Sequence, residues 1–430
     1  MVGSLLIAMF LAGGPSESTA PVWTLDDCVA IAAQHNPTAQ RALAGIQSAR
    51  GSRTRSLSTV LPTLSLYSDV SKYSSEQLSF YQDQWKTSRN RYSAGVQLQQ
   101  PLFDGWYSWA SLGSAAAGLH AAEYNHQATL GSVALDVAGR FYGVLKSEAL
   151  LAVAEEAETV AMRLLERAEA RETIGSASRQ EVLRAKVQVY TDRMERMRRT
   201  NEVATSRSSL LLALGMNPDS HFALETPSSD LAAVPELDAC VADVESHPSL
   251  LAAEENARSA HKGVTVARSS RYPWLTGNAS YGWSDVTLPE DSDEFRDFDY
   301  WKIGLTVSMN VFDGFSTKGQ IQSAKGAAKE ADITLDETRL SLRHAVQVQH
   351  QQLVEALAQR EVAQAALDLA NEEYRLAEEK YTLGSLSFVD LGDSKLALER
   401  AKESLVEATY AVHIAAAGLA EARGKLGVGQ

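Results

Sequence analysis

The sequence is written twice. Leu25-Asp26-Asp27-Cys28-Val29-Ala30 returns as Leu237-Asp238-Ala239-Cys240-Val241-Ala242, His35-Asn36-Pro37 as Ser246-His247-Pro248, and Pro62 as Pro273. From Phe103-Asp104-Gly105-Trp106 and Phe312-Asp313-Gly314-Phe315 onward the offset is a constant 209, so Ile174-Gly175-Ser176 matches Leu383-Gly384-Ser385, Lys186 matches Lys395 and Gly215 matches Gly424. Any fold for residues 24–226 therefore has to serve again for 236–428, with 227–235 as the link between them.

Each repeat ends in a long tract without proline: none lies between Pro101 and Pro218, and none after Pro289. Residues 316–383 and 386–423 read as two antiparallel helices folded at Gly384, and 107–172 with 177–214 as their counterpart, giving hairpins over about 107–215 and 316–424. Val362, Leu369, Leu376 and Leu383 recur every seven residues, as do Leu391, Leu398, Leu405, Val412 and Leu419, a coiled-coil seam. The first repeat carries Val153, Val160, Ile174, Val182, Val189, Val203 and Leu210 in the same register, interrupted by Arg167 and Arg196. Those arginines are expected to face solvent or a neighbouring copy, or to be ordinary surface variation. A helix over 316–383 extends about 100 Å at ~1.5 Å per residue, so it needs partners packed along its side.

Ahead of each hairpin stand an opening helix (25–58 and 237–270) and two segments of period two. The latter are strands at about 64–72, 92–103, 274–284 and 300–312, with polar loops 73–91 and 285–299 as tips. Trp301, Ile303, Leu305, Val307, Met309 and Val311 alternate with Lys302, Gly304, Thr306, Ser308 and Asn310. Each segment has the length of a tilted membrane-spanning strand. Tyr272, Trp274, Phe103, Trp106, Phe312 and Phe315 collect at one end and Tyr92, Trp283, Tyr300 and Trp301 at the other, as interfacial girdles do. A soluble hairpin on a dry core is the alternative for such alternation. In hydrocarbon, strands have to close on themselves, and four cannot. Two copies would supply eight strands and three would supply twelve. The strand count does not choose between them.

A net charge of -14 and the lack of any basic run exclude a nucleic-acid partner. Leu5 to Ala12 followed by Ser18-Thr19-Ala20 resembles a signal peptide over 1–20, although no Lys or Arg precedes Arg41. Cys28 and Cys240, at equivalent places in the repeats, read as small buried packing residues rather than a disulfide. No catalytic motif is present, and histidines spaced six apart (His120 and His126, His344 and His350) do not share a helix face, so neither enzyme, cofactor nor metal site is expected.

This order of elements resembles the TolC-type outer membrane factor family, the exit ducts of Gram-negative efflux pumps and type I secretion systems. The resemblance rests on the tandem repeat, the opening through Asn36-Pro37, Pro62, Pro101-Leu102-Phe103-Asp104-Gly105 and Tyr381-Thr382-Leu383-Gly384, and it spans nearly the whole chain. It implies a mainly α fold with a small β part, in which four strands per chain join a shared trimeric twelve-stranded barrel above a periplasmic helical tunnel. It further implies a homotrimer in outer membrane lipid, a periplasmic adaptor protein touching the tips Ile174-Gly175-Ser176 and Leu383-Gly384-Ser385, and an inner-membrane pump beyond. Asp390 and Asp393 match the family's pair of luminal gate aspartates, which form a carboxylate ring in a trimer. Tyr381 and Glu181 match its latch. A family arginine is Leu386 here, leaving Arg179 or Arg184 as substitutes. An exported coiled-coil stalk or adhesin without a pore is the competing expectation.

Overall fold

The computed structural model describes residues 22–81, 84–220, 222–226, 234–288, 296 and 298–426. The expected signal peptide, most of the linker 227–235, and Glu290, Asp291, Asp293, Glu294 and Asp297 of the second polar loop lie outside them. In chain order the elements are β1 (Val22–Trp23), α1 (Leu25–His35), α2 (Pro37–Leu57), β2 (Thr63–Tyr81), β3 (Gln84–Phe103), α3 (Tyr107–Thr173), α4 (Arg179–Leu214) and β4 (Ala223–Leu224). The second repeat supplies α5 (Leu237–Ala242), a 3-10 turn (Asp243–Ser246), α6 (Pro248–Ser269), β5 (Trp274–Asp285), β6 (Asp299–Ser308), α7 (Ser316–Thr382) and α8 (Phe388–Ala422).

Two compact units result, and each draws on both repeats. One comprises Ala42–His126 and Pro248–Ser341, and the other the stretch ending at Arg41, Gln127–His247 and the stretch from Leu342 onward.

The first of these holds the sheet. Its strands are antiparallel throughout, in the order β2-β3-β5-β6. Register places Leu66, Val96, Tyr281 and Trp301 in one row, and Ser65, Gln97, Ser280 and Lys302 in the next. Apolar and polar rows therefore fall on opposite faces, as period two dictates. The apolar face is not covered by the unit's own described residues: Leu66 is 83% exposed and Trp301 74%. A hairpin lying on a dry core would bury those side chains, so that alternative does not hold. β2 and β3 run well beyond the expected 64–72 and 92–103, and most of the expected loop 73–91 is strand. Its residues are mostly polar, and Leu78 and Phe80 alternate for too short a run to give a strand signal. β6 stops at Ser308 rather than 312.

On the polar face Tyr67, Gly95, Gly282 and Tyr300 stand in one row across all four strands. The two tyrosines of the outer strands reach over the glycines of the inner ones and hydrogen-bond hydroxyl to hydroxyl. A Cβ on Gly95 would sit 2.7 Å from the Tyr281 carbonyl oxygen and 2.8 Å from the Tyr67 hydroxyl. Only glycine leaves room for that crossing.

The other unit is helical apart from the short parallel pair β1 and β4. Its core gathers Cys28 and Ala32 of α1, Val137 and Phe141 of α3, and Leu210 and Leu214 of α4, with Trp23 stacked on Phe222 at 5.0 Å. Cys28 and Cys240 are both free and fully buried, and burial pushes the Cys28 thiol up to about 12. The opening helices are interrupted where the sequence reading had them continuous. Asn36 and His247 take extended backbone (ψ 127° and 131°) because each precedes a proline, whose ring disfavours the helical conformation before it. Asn36 then donates its side-chain amide to the Ala213 carbonyl at 2.7 Å, tying α1 to the end of α4.

The seam expected on α7 is displaced by one residue. Ala356, Ala363, Ala370 and Ala377 are the buried heptad, whereas Val362, Leu369, Leu376 and Leu383 are exposed, Leu369 by 74%. Alanine lets helix backbones approach, and the neighbouring leucines then point away. On α8 the expected seam is the buried one, through Leu391, Leu398, Val412 and Leu419.

Candidate functional site

Both hairpins turn on a glycine in the left-handed region, Gly175 and Gly384 at φ 76°. Each turn closes with backbone bonds: Gly175 N–H to Glu172 O (2.9 Å) and Ser176 N–H to Arg171 O (2.8 Å), Gly384 N–H to Tyr381 O (3.0 Å) and Ser385 N–H to Lys380 O (2.9 Å). A serine then caps the returning helix. Ser178 accepts from Glu181 N–H and Ser387 from Asp390 N–H, both at 3.2 Å. Glu181 and Asp390 thus hold the same place in the two repeats.

Their side chains do different things. The Tyr381 hydroxyl donates to Glu181 Oε1 at 2.5 Å, joining α7 of the second hairpin to α4 of the first. Tyr381 is buried among Leu164, Ala377 and Leu391, with Leu386 and Phe388 against it. Burial first, and then the hydrogen bond and charge of Glu181, push its phenol up to about 12, with Arg171 opposing. The phenol therefore stays a donor at any ordinary pH. Arg171 lies 4.8 Å from the centre of the Tyr381 ring. That arginine is the cation beside the Tyr381–Glu181 pair. Arg179 instead lies 3.8 Å from Glu172 on the surface, and Arg184 lines a groove between α4 and α8. Leu386, where the family arginine was expected, packs on the apolar cluster.

Asp390 and Asp393 are both exposed on the first turns of α8. Asp390 accepts from the Ser387 hydroxyl at 2.7 Å, and Asp393 lines the groove with Arg184, Gln188 and Leu396. The turn residues Ile174 and Leu383 are the most exposed apolar side chains of the tips, at 78% and 83%.

Behind the tips the helices are laced by charge. Between the hairpins Arg167 donates to Glu378 at 2.6 Å and Lys402 to Glu156 at 2.7 Å, and within the first hairpin Arg193 and Arg196 donate to the two oxygens of Glu158 at 2.8 and 2.6 Å. Arg167 and Arg196, expected to face solvent or another copy, do stand at the surface, each paired with a carboxylate of the same chain. A carboxylate in reach recruits an arginine that the heptad pattern marks only as an interruption.

The profile of the outer membrane efflux protein family matches residues 29–216 and 244–425. The chain belongs to that family. It is 25% identical over 330 residues to the outer membrane efflux protein BepC of Brucella suis biovar 1 (strain 1330), covering 74% of this chain and 71% of BepC. It is 22% identical over 429 residues to the outer membrane protein TolC of Vibrio cholerae, covering 98% and 95%. Among solved structures, the outer membrane protein VceC of Vibrio cholerae superposes with a TM-score of 0.81 at 20% identity, covering 94% of this chain and 97% of VceC.

The fold of this efflux protein is accordingly mainly α with a small β part, as expected. Among its described residues no helix is long and apolar enough to cross a membrane, and no group of three His, Cys, Asp or Glu could hold a metal. Of the four tryptophans expected at a membrane interface, Trp106, Trp274 and Trp301 are exposed, and Trp106 stands edge-on to Phe103 and Tyr272 at 5.2 and 5.7 Å. Trp283 is not part of that surface: it lies on the apolar side by register, yet it is only 3% exposed. Sequence reasoning missed Arg171, whose signal would have been its spacing of four residues before Gly175. It also missed Asp192, which carried none.

Proposed function

We propose that three copies of this chain form an outer membrane duct, the passive exit of an efflux pump or a type I secretion system. The observation that carries the reading is the four-stranded sheet: its apolar face is uncovered and, among the described residues, β2 and β6 each pair on one side only. Lipid accepts such a face, but open edges in lipid demand further strands. Three copies supply twelve, with Trp106, Trp274 and Trp301 at the interfaces. A stalk or adhesin without a pore has no use for an uncovered apolar sheet.

Two exposed apolar stripes fit contacts between copies: Leu183, Val187, Tyr190, Met194 and Met197 on α4, and Val362, Leu369, Leu376 and Leu383 on α7. The helical hairpins form a periplasmic tunnel. At its end Asp390 and Asp393 face the lumen as a carboxylate ring that selects cations, and Tyr381 with Glu181 is the latch holding it narrow. A periplasmic adaptor engages Ile174-Gly175-Ser176 and Leu383-Gly384-Ser385, and with an inner-membrane pump it opens the latch. The chain itself supplies no energy and no reaction.

Single-channel recording in planar bilayers tests this. Wild type gives cation-blocked channels, and Asp390→Ala with Asp393→Ala abolishes the block. Unchanged block sinks the gate assignment, and absence of any channel sinks the duct.

A further inference from the structure

Two residues beyond Asp393, on the opposite side of α8, Lys395 is 4% exposed. Its ammonium donates to Asp192 Oδ2 of α4 at 2.8 Å and pairs with Glu399 one turn along its own helix. Asp192 is also buried, and its other oxygen accepts from Gln188 at 2.7 Å. The helix does not need this arrangement for its own stability. The equivalent Lys186 of the first hairpin meets Glu169 at 3.1 Å on the surface, about half in water.

We propose that Lys395 is a positioning residue of the gate: its pairing with Asp192 holds α8 against α4 and so sets where Asp390 and Asp393 stand. This rests on the duct reading above. A charged pair suits a joint that has to part. Water solvates both ends once they separate, whereas an apolar contact in the same place opposes separation throughout, and a single charge left behind in the joint forces it open. With Leu391 and Lys395 turned inward at a spacing of four and Asp390 and Asp393 turned outward, any rolling of α8 that breaks the pair also carries the carboxylates off their ring. Tyr381 with Glu181 fastens the turn, and Lys395 with Asp192 fastens the helix behind it.

The test records wild type, Lys395→Met and Lys395→Met/Asp192→Leu/Glu399→Gln trimers in planar bilayers, with Mg2+ as the blocking ion. Lys395→Met strands Asp192, and conductance is expected to rise at least about twofold with Mg2+ block weakened about tenfold. The triple variant removes all three charges of the joint, Glu399 included, and returns conductance to the wild-type level or below. Were Lys395→Met not to assemble, Asp192→Asn is read in its place; Lys395 keeps Glu399 on its own helix but loses its charged partner on α4, so a smaller rise in the same direction is expected. A conducting wild type whose Lys395 and Asp192 variants match it in conductance and block overturns the positioning role while leaving the duct standing. A wild type that forms no channel fails the duct itself.

Discussion

Lys186 and Lys395 descend from the same position of the repeat, and the hairpins use them differently. In the first hairpin Lys186 reaches across to the other arm of its own hairpin, to Glu169, in water. In the second, Lys395 ignores its own outgoing arm and enters the joint with the first hairpin, at Asp192. Glu181 and Asp390 diverge in the same way, one taken by Tyr381 and the other left exposed. The counterpart of Tyr381 is Glu172, which lies beside Arg179 at the surface. Duplication therefore conserved where residues stand along the helix, while function came from which side found a partner. The second hairpin's inner side is charged and closed by contacts that the first hairpin receives.

The comparison breaks most readily at the lysines. Asp192→Ala takes from Lys395 its partner on α4 and leaves only Glu399 of its own helix, and is expected to cost about 1–3 kcal/mol, whereas Glu169→Ala should cost about 0–1 kcal/mol. Denaturant midpoints of the two variants measure this, and equal shifts would show that the hairpins differ less than their geometry says.

Next comes the latch. Tyr381→Phe leaves the Glu181 carboxylate without its donor, a loss of about 1–3 kcal/mol and a more open entrance, against no measurable change for Glu172→Gln. Because the phenol's folded value is raised above its ordinary 10, its contribution is complete below pH 10 and is lost as pH rises through about 12. Alkaline titration should show conductance rising through that range in wild type and not in Tyr381→Phe.

The smallest effect concerns the openings of the repeats. His247 replaces Asn36, and burial lowers its pKa below the ordinary 6.5. A depressed histidine contributes stability above pH 6.5 that is lost as pH falls through its folded value. His247→Asn should flatten that acid loss of thermal stability, and an unchanged acid limb would assign it to other groups.

Much of this was legible before any coordinates. The repeat, the hairpins turning on Gly175 and Gly384, the four alternating strands and the pairing of Tyr381 with Glu181 all follow from spacing or from the family resemblance. The rest was hidden for identifiable reasons. The strand extensions over 73–81 and 84–91 carry Leu78 and Phe80 opposite Trp85, too short an apolar run to reveal them. The breaks at Asn36 and His247 depend on the residue before a proline. The α7 seam was assigned to the larger side chains, when close helix contact favours Ala356, Ala363, Ala370 and Ala377.

What the sequence by itself determined is everything local or periodic: which segments are helix or strand, where they turn, and that the chain is two copies of one plan. Only the tertiary structure decided which face of each helix is inside and which charges meet, because a heptad names a stripe without naming its neighbour. Arg167 with Glu378, Arg171 over Tyr381 and Lys395 with Asp192 join residues far apart in the chain. Pairing at that range is selected by the mutual fit of two helix surfaces, which no single stretch of sequence contains.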